Sequence, residues 1–251
     1  MARTTTEKAV VIMKYESSGH SYSKEKKCLL TLAGRAAPRV LHFDDDNCIL
    51  ITDFLSGALL SDIDPEIDLI ARCFEIYAGC TNLESDERNI RHLDLLRKLH
   101  PLVLVTLSST ERRNLPRLMN LLSSPAQIPC HRDFHPRNII VSEHGGIFVI
   151  DFEQYGNDNP ALDVARMCFN SSLRFSFDTR VDLAAKFRDC LRRKIGLTFQ
   201  DIELVAATYF RALTNANQSL VMKGREISVA PVSVSLAAAR ALAEHTNCMM
   251  Q

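Results

Sequence analysis

Cys130-His131-Arg132-Asp133-Phe134-His135-Pro136-Arg137-Asn138-Ile139-Ile140-Val141, with Ile150-Asp151-Phe152-Glu153 placing an aspartate thirteen residues after Asn138, is the stretch on which the reading of this chain turns. Its form is H-x-D-x-x-x-x-N, a β-hairpin, then D-F-E. The hairpin is read from two short β-rich runs, 138–141 and 147–150, joined by the turn Glu143-His144-Gly145-Gly146. Phosphoryl transfer needs a carboxylate to orient the attacking hydroxyl and accept its proton, and oxygen ligands to hold magnesium against a triphosphate. A loop bearing Asp133 and Asn138, followed by a hairpin whose far strand ends on Asp151, brings those groups to one place. A lone Asp at a strand end is ordinarily a turn residue. The ordered set, with a hairpin between its parts, points to phosphoryl-transfer chemistry.

Protein kinases carry the same logic in H-R-D-L-x-x-x-N followed by D-F-G. The present motif departs from that form and resembles the aminoglycoside phosphotransferase and choline kinase superfamily, which favours H-G-D-x-H-P-x-N and then I-D-F/W-D/E. The resemblance implies Asp133 as the catalytic aspartate, Asn138 and Asp151 as magnesium ligands, and Glu153 as an acidic neighbour assisting the metal. Arg132 stands where the family usually has glycine. Downstream, residues 156–166 resemble the family's G-D-P-x-x-D-L-A, with Pro160 suited to a first helical turn. Asp163 is expected to brace the catalytic loop through backbone N–H groups or through His131. His131 is then a brace rather than a base, since Asp133 takes that role, and His135 hydrogen-bonds or packs inside the loop. Eleven residues between Asp151 and Asp163 leave no room for a protein-kinase activation loop, so a peptide-binding platform is not expected.

Upstream, residues 8–14 read as a mostly buried strand and 21–34 as a helix ended by Gly34. Residues 39–43 and 48–52 read as strands joined by the acidic turn at 44–47, and 54–57 as a linker. The resemblance makes Lys14 the phosphate-binding lysine, Glu25 its ion-pair partner on the next helix, and Thr52, Asp53, Phe54 and Leu55 the adenine-binding hinge. A lysine closing a strand, and a glutamate among Lys24, Lys26 and Lys27, read equally as solvated positions. Only seven residues precede Lys8, and the two strands and phosphate-covering loop that the family places before its lysine strand do not fit there. From Pro65 the spacing turns helical, over 65–80, 86–99 and 110–123, with Pro125 and Pro129 interrupting. Beyond the hairpin, helices are expected near 160–172, 178–195, 199–222 and 231–246. The expected fold is therefore α+β and two-lobed, protein-kinase-like, with a truncated β-rich nucleotide-binding lobe and hinge over 1–57. A larger helical lobe over 58–251 carries the catalytic loop and hairpin.

Composition narrows the function classes. Lys+Arg and Asp+Glu are both 30, so no net field steers the chain to nucleic acid or an anionic membrane. The apolar run at 9–13 is too short for a signal peptide and no stretch approaches a bilayer span, so a cytoplasmic protein is expected. Eight cysteines form no CxxC pair and the histidines no ligand cluster, which argues for free thiols and against zinc. P-loop and dinucleotide-binding glycine motifs are absent. The leading expectation is ATP- and Mg2+-dependent transfer of a phosphoryl group to a hydroxyl of a small molecule, an aminoglycoside-like antibiotic or a metabolite. The alternative is a catalytically weak pseudokinase that binds a ligand or partner, favoured by the missing glycine-rich loop and opposed by the intact Asp133, Asn138 and Asp151. From Gly156 onward there are nine Asp+Glu and twelve Lys+Arg, a balance that mildly disfavours a polycationic acceptor.

Overall fold

A computed structural model describes residues 10–14, 19–81, 83, 97–123, 128–223 and 230–247. The side chains of 14, 19–20, 219–223 and 230–235 are not described. The helix expected over 86–99 lies outside this set except for its last residues.

The N-terminal part is a three-stranded antiparallel sheet with one helix. β1 (Val10–Lys14) and β2 (Val40–Asp44) flank β3 (Ile49–Asp53), and α1 (Gly19–Leu32) packs against β2 and β3. Alternation along β3 turns Leu50 and Thr52 inward, where they are buried with Tyr22 and Leu29 of α1. Gly34 closes the helix at φ +70°, a conformation that favours glycine. In the acidic turn, the Asp44 carboxylate accepts hydrogen bonds from the backbone N–H groups of Asp46 and Asn47, both at 3.1 Å.

Residue 57 does not belong to a linker. Gly57 opens β4 (Gly57–Leu59), which pairs with β6 (Ile139–Ser142), itself paired with β7 (Ile147–Val149). A Cβ on Gly57 would fall 2.3 Å from the Val141 carbonyl oxygen, so only glycine allows this approach. A second small ribbon pairs β5 (Ile128–Cys130) with β8 (Gly156–Asp158), despite Pro129.

Helices build the rest: α2 (Ile67–Cys80), α3 (Pro101–Val105), α4 (Ser109–Leu122), α5 (Ala161–Cys168), α6 (Phe177–Ile195), α7 (Asp201–Lys223) and α8 (Ala230–His245). Their core includes an aromatic cluster. The rings of Phe74 and Phe187 stack at 4.1 Å, and Tyr77 lies 4.7 Å from Phe134 and 5.0 Å from Phe187. Phe134 belongs to the catalytic-loop motif, so burying it, worth roughly 1.5–3 kcal/mol, clamps that loop to α2 and α6. Glu111 ties three helices, accepting from Tyr209 Oη at 3.0 Å and Arg240 Nε at 2.8 Å while its capping box with Ser108 starts α4. The two parts of the chain meet at the hairpin, where Val149 N donates to Ala36 O at 2.7 Å. Among the described residues there is no helix long and apolar enough to cross a membrane. Cys28, Cys73, Cys80, Cys130, Cys168 and Cys190 are free and buried, and Cys48 is free and half-buried.

Candidate active site

β5 delivers the chain into the loop 131–138. His131 is buried and bonds on both sides: Nε2 meets Ile150 O at 3.0 Å, and Nδ1 meets Asp133 N at 3.2 Å. A carbonyl can only accept and an amide N–H can only donate, so the proton sits on Nε2. Burial lowers the pKa of His131, outweighing the nearby Asp163 charge, and the ring stays neutral. Arg132 follows at φ +65°, in the left-handed region. Its guanidinium donates from Nη2 to Asn157 O at 2.8 Å, with Nε 3.4 Å from Asp158 Oδ2. An arginine thus occupies a glycine-like conformation while fastening the loop to β8. Asp163, fully buried on α5, accepts from the backbone N–H groups of Arg132 at 3.0 Å and Phe134 at 3.3 Å, and from the Tyr77 hydroxyl at 2.8 Å.

This scaffold positions Asp133. Its Oδ2 accepts from Asn138 Nδ2 at 3.0 Å, and the same nitrogen donates to Asp133 O at 3.0 Å. Its Oδ1 lies 3.4 Å from His135 Nε2 and forms an ion pair with Arg166. Burial pushes the Asp133 pKa up, but the His135 hydrogen bond and the Arg166 charge hold the carboxyl well below the usual carboxylate range. Asp133 is therefore ionised at neutral pH and is a weak base.

Asp151 is tethered to the same loop, since Ile150 N donates to Asn138 O at 3.0 Å. It holds φ +64°, a backbone strain of about 1–3 kcal/mol for a non-glycine residue and the kind that gathers at functional sites. Burial raises its pKa, and the charges of Glu153 and Asp133 raise it further. Such a gathering of carboxylates suits a divalent cation. Magnesium takes one or two protein oxygens plus waters and phosphates, so Asn138 and Asp151 fit it. Glu153, half-buried, lies beside them and meets Gln154 Nε2 at 3.4 Å.

A cleft of ≈ 220 Å³ opens between the β1–β3 sheet and the hairpin. Thr52, Asp53, Phe54 and Leu55 line it, with Glu25 and Asp151 among its polar groups. Glu25 is 2% exposed, and burial, then the Asp151 charge, push its pKa up to about 8. The backbone N–H groups of Phe152 and Asp151 oppose that shift, while Glu25 Oε2 has no hydrogen-bond partner among the described residues. Lys14 ends β1 opposite Ile49, and its side chain lies outside the described residues. The expected residues therefore fall into two adjoining groups. Asp133, Asn138, His131 and Asp163 form the loop site, and Glu25 and Thr52–Leu55 form the cleft, with Asp151 at their junction.

Three contributors escape a reading of the motif alone: Tyr77, Arg166 and Arg211. Arg166 sits three residues after Asp163 on α5, a spacing that puts both on one helix face, and that was the available signal. Arg211 of α7 lies behind it and donates to the carbonyls of Ala165 and Arg166 at 2.9 and 2.8 Å. Nothing local in the sequence marks Tyr77 or Arg211.

The model of the phosphotransferase enzyme family (APH) matches residues 1–197. The chain belongs to this family. Solved structures of similar fold include a choline kinase and aminoglycoside phosphotransferases. Choline kinase LicA from Streptococcus pneumoniae is 16% identical with a TM-score of 0.65, covering 96% of this chain and 88% of its own. An aminoglycoside phosphotransferase from Alicyclobacillus acidocaldarius is 13% identical with a TM-score of 0.65, covering 98% and 86%. The AMP-bound spectinomycin phosphotransferase APH(9)-Ia is 11% identical with a TM-score of 0.63, covering 98% and 89%. LicA is also known in complex with AMP. A search of curated proteins gave no match. The expected protein-kinase-like α+β fold, with small N-terminal sheets and a helical C-terminal part, is the fold found.

Proposed function

We propose that this phosphotransferase moves the γ-phosphoryl group of ATP to a hydroxyl of a small molecule. The observation that carries the reading is the contact of Asn138 Nδ2 with Asp133 Oδ2 at 3.0 Å, on a loop bonded directly to the residue before Asp151. It joins a hydroxyl-orienting carboxylate to the two oxygen ligands that a magnesium ion needs.

In this reading the chain divides into a nucleotide lobe over 1–57 and a helical lobe over 58–251. Backbone groups of Thr52, Asp53, Phe54 and Leu55 hold adenine in the apolar cleft, as the AMP complexes of the relatives encourage. Lys14 meets the phosphates, and Glu25 is its ion-pair partner when nucleotide is bound. Asn138 and Asp151, with Glu153 alongside, would hold Mg2+, which supplies charge neutralisation on the phosphates. Asp133 orients the acceptor hydroxyl. Because its carboxyl is a weak base, it takes the proton late, when the hydroxyl has already become acidic through bond formation. His131 and Asp163 hold the loop geometry and transfer no proton.

The test is ATP consumption across a panel of hydroxylated antibiotics and metabolites, with and without magnesium. The reading expects at least one acceptor to accelerate magnesium-dependent ATP consumption, and an Asp151→Ala variant to lose that dependence together with turnover. Wild-type magnesium dependence in Asp151→Ala would remove the metal assignment.

A further inference from the structure

The two oxygens of the Asp133 carboxylate are not equivalent. Each offers about two lone-pair positions to hydrogen-bond donors. Oδ1 meets two donors, the Arg166 guanidinium and His135 Nε2, the latter at 3.4 Å. His135 Nδ1 accepts from Arg137 N at 3.1 Å, so the ring proton on Nε2 faces Oδ1. Oδ2 meets one donor among the described residues, Asn138 Nδ2 at 3.0 Å, and the Asp133 side chain is 21% exposed. One acceptor position is therefore left on Oδ2. It lies on the oxygen shared with Asn138, whose own carbonyl is bonded to Ile150 N, the residue before Asp151. Oδ1 is turned the other way, to α5.

What keeps the oxygens in these roles is α5. The terminal torsion of a carboxylate is broad and two-fold, so one contact at Oδ2 does not fix its plane. Asp163 of α5 accepts from the backbone N–H groups of Arg132 and Phe134, one on either side of Asp133, at 3.0 and 3.3 Å. Arg166, about one turn further along the same helix, takes Oδ1. Arg211 of α7 donates to the Ala165 and Arg166 carbonyls at 2.9 and 2.8 Å, anchoring the backbone from which Arg166 reaches. The helix thus grips both the main chain around Asp133 and one oxygen of its side chain. Arg166 does not line the hinge cleft, so what it does for Asp133 is separable from nucleotide binding.

We propose that Arg166 is a positioning residue for phosphoryl transfer: it holds Asp133 Oδ1 in place and so presents Oδ2 to the acceptor hydroxyl. The hydroxyl oxygen bonds to the γ-phosphorus as the bond to ADP breaks, and its proton passes to Oδ2. Arg166 stays on Oδ1 throughout and touches no reacting atom. The inference rests on the reading of Asp133 as the hydroxyl-orienting residue.

The experiment uses water as the acceptor and reads magnesium-dependent release of inorganic phosphate from ATP by the full chain. Wild type, Asp133→Asn, Arg166→Met, Arg166→Lys and the double Asp133→Asn/Arg166→Met are compared, with thermal melting checking that each folds. Arg166→Met should lower kcat at least about tenfold, as a misplaced reactive group does, while KM for ATP stays within about twofold of wild type. Arg166→Lys keeps the charge without the planar fork and should recover part of that loss. The double should be no slower than Asp133→Asn alone, because Arg166 acts only through Asp133. Wild-type kcat in Arg166→Met beside a slow Asp133→Asn, or a double slowed by the product of the two single effects, would overturn the positioning role and leave the catalytic reading standing. Undiminished release by Asp133→Asn would remove the catalytic reading, and this inference with it.

Discussion

The Tyr77 hydroxyl donates to Asp163 Oδ2 at 2.8 Å, linking α2 to α5 through a carboxylate that also holds two backbone N–H groups of the catalytic loop. The hydroxyl supplies one of three bonds, so Tyr77→Phe should cost about 1 kcal/mol of stability and little turnover. Asp163→Asn keeps the shape but replaces one acceptor oxygen by a donor facing donors. It should cost about 1–3 kcal/mol and lower turnover as well, because two loop N–H groups lose their common acceptor. Urea unfolding with steady-state turnover checks both. Equal effects of the two substitutions on turnover would contradict the bracing role.

Arg132 sets strain against attachment. Its φ of +65° costs a non-glycine residue about 1–2 kcal/mol, and its guanidinium bonds to Asn157 O and lies beside buried Asp158. Arg132→Gly relieves the strain and loses the attachment; Arg132→Ala loses the attachment and keeps the strain. The expected order of stability by urea unfolding is arginine, then glycine, then alanine, with alanine about 1 kcal/mol below glycine. Alanine above glycine would contradict the account.

Glu25 predicts a pH signature in the nucleotide-free protein. Its folded pKa is raised to about 8, first by burial and then by Asp151, with Glu153 adding and the Phe152 and Asp151 N–H groups opposing. The unfolded chain releases the proton near the ordinary value of about 4.3. Between those values the folded state holds more protons than the unfolded state, so this group makes stability fall as pH rises from about 4.3 to about 8. Glu25→Gln stays neutral and removes the penalty. Its melting temperature should exceed that of wild type at pH 8, by the equivalent of about 1–3 kcal/mol, and converge with it near pH 4.5. A lower melting temperature than wild type at pH 8 would contradict the burial argument.

How much of this was legible in the sequence depended on the length of each signal. The loop and the D-F-E turn carry their chemistry in consecutive residues, and the hairpin between them could be read from its turn. Helices such as Ile67–Cys80 and Phe177–Ile195 span several turns, enough for apolar spacing to emerge. The strands Gly57–Leu59, Ile128–Cys130 and Gly156–Asp158 are three residues each, too short for period-two alternation, and their pairing is long-range. Pro129 argued directly against its strand. Arg132 read only as a bulky replacement for glycine, because its backbone conformation and its attachment to β8 exist only in the folded chain. Arg211 was invisible for a similar reason: it reaches α5 across 45 residues of sequence.

The central claim is that Asp133 orients the acceptor hydroxyl in phosphoryl transfer from ATP. Asp133→Asn keeps size and most hydrogen-bond geometry while removing the negative charge and the proton acceptor. The most direct measurement is γ-phosphoryl transfer to the acceptor by wild type and Asp133→Asn at saturating Mg-ATP, with nucleotide affinity measured beside it. The account predicts unchanged nucleotide binding and a loss of turnover of at least about a hundredfold. Undiminished transfer by Asp133→Asn would contradict it.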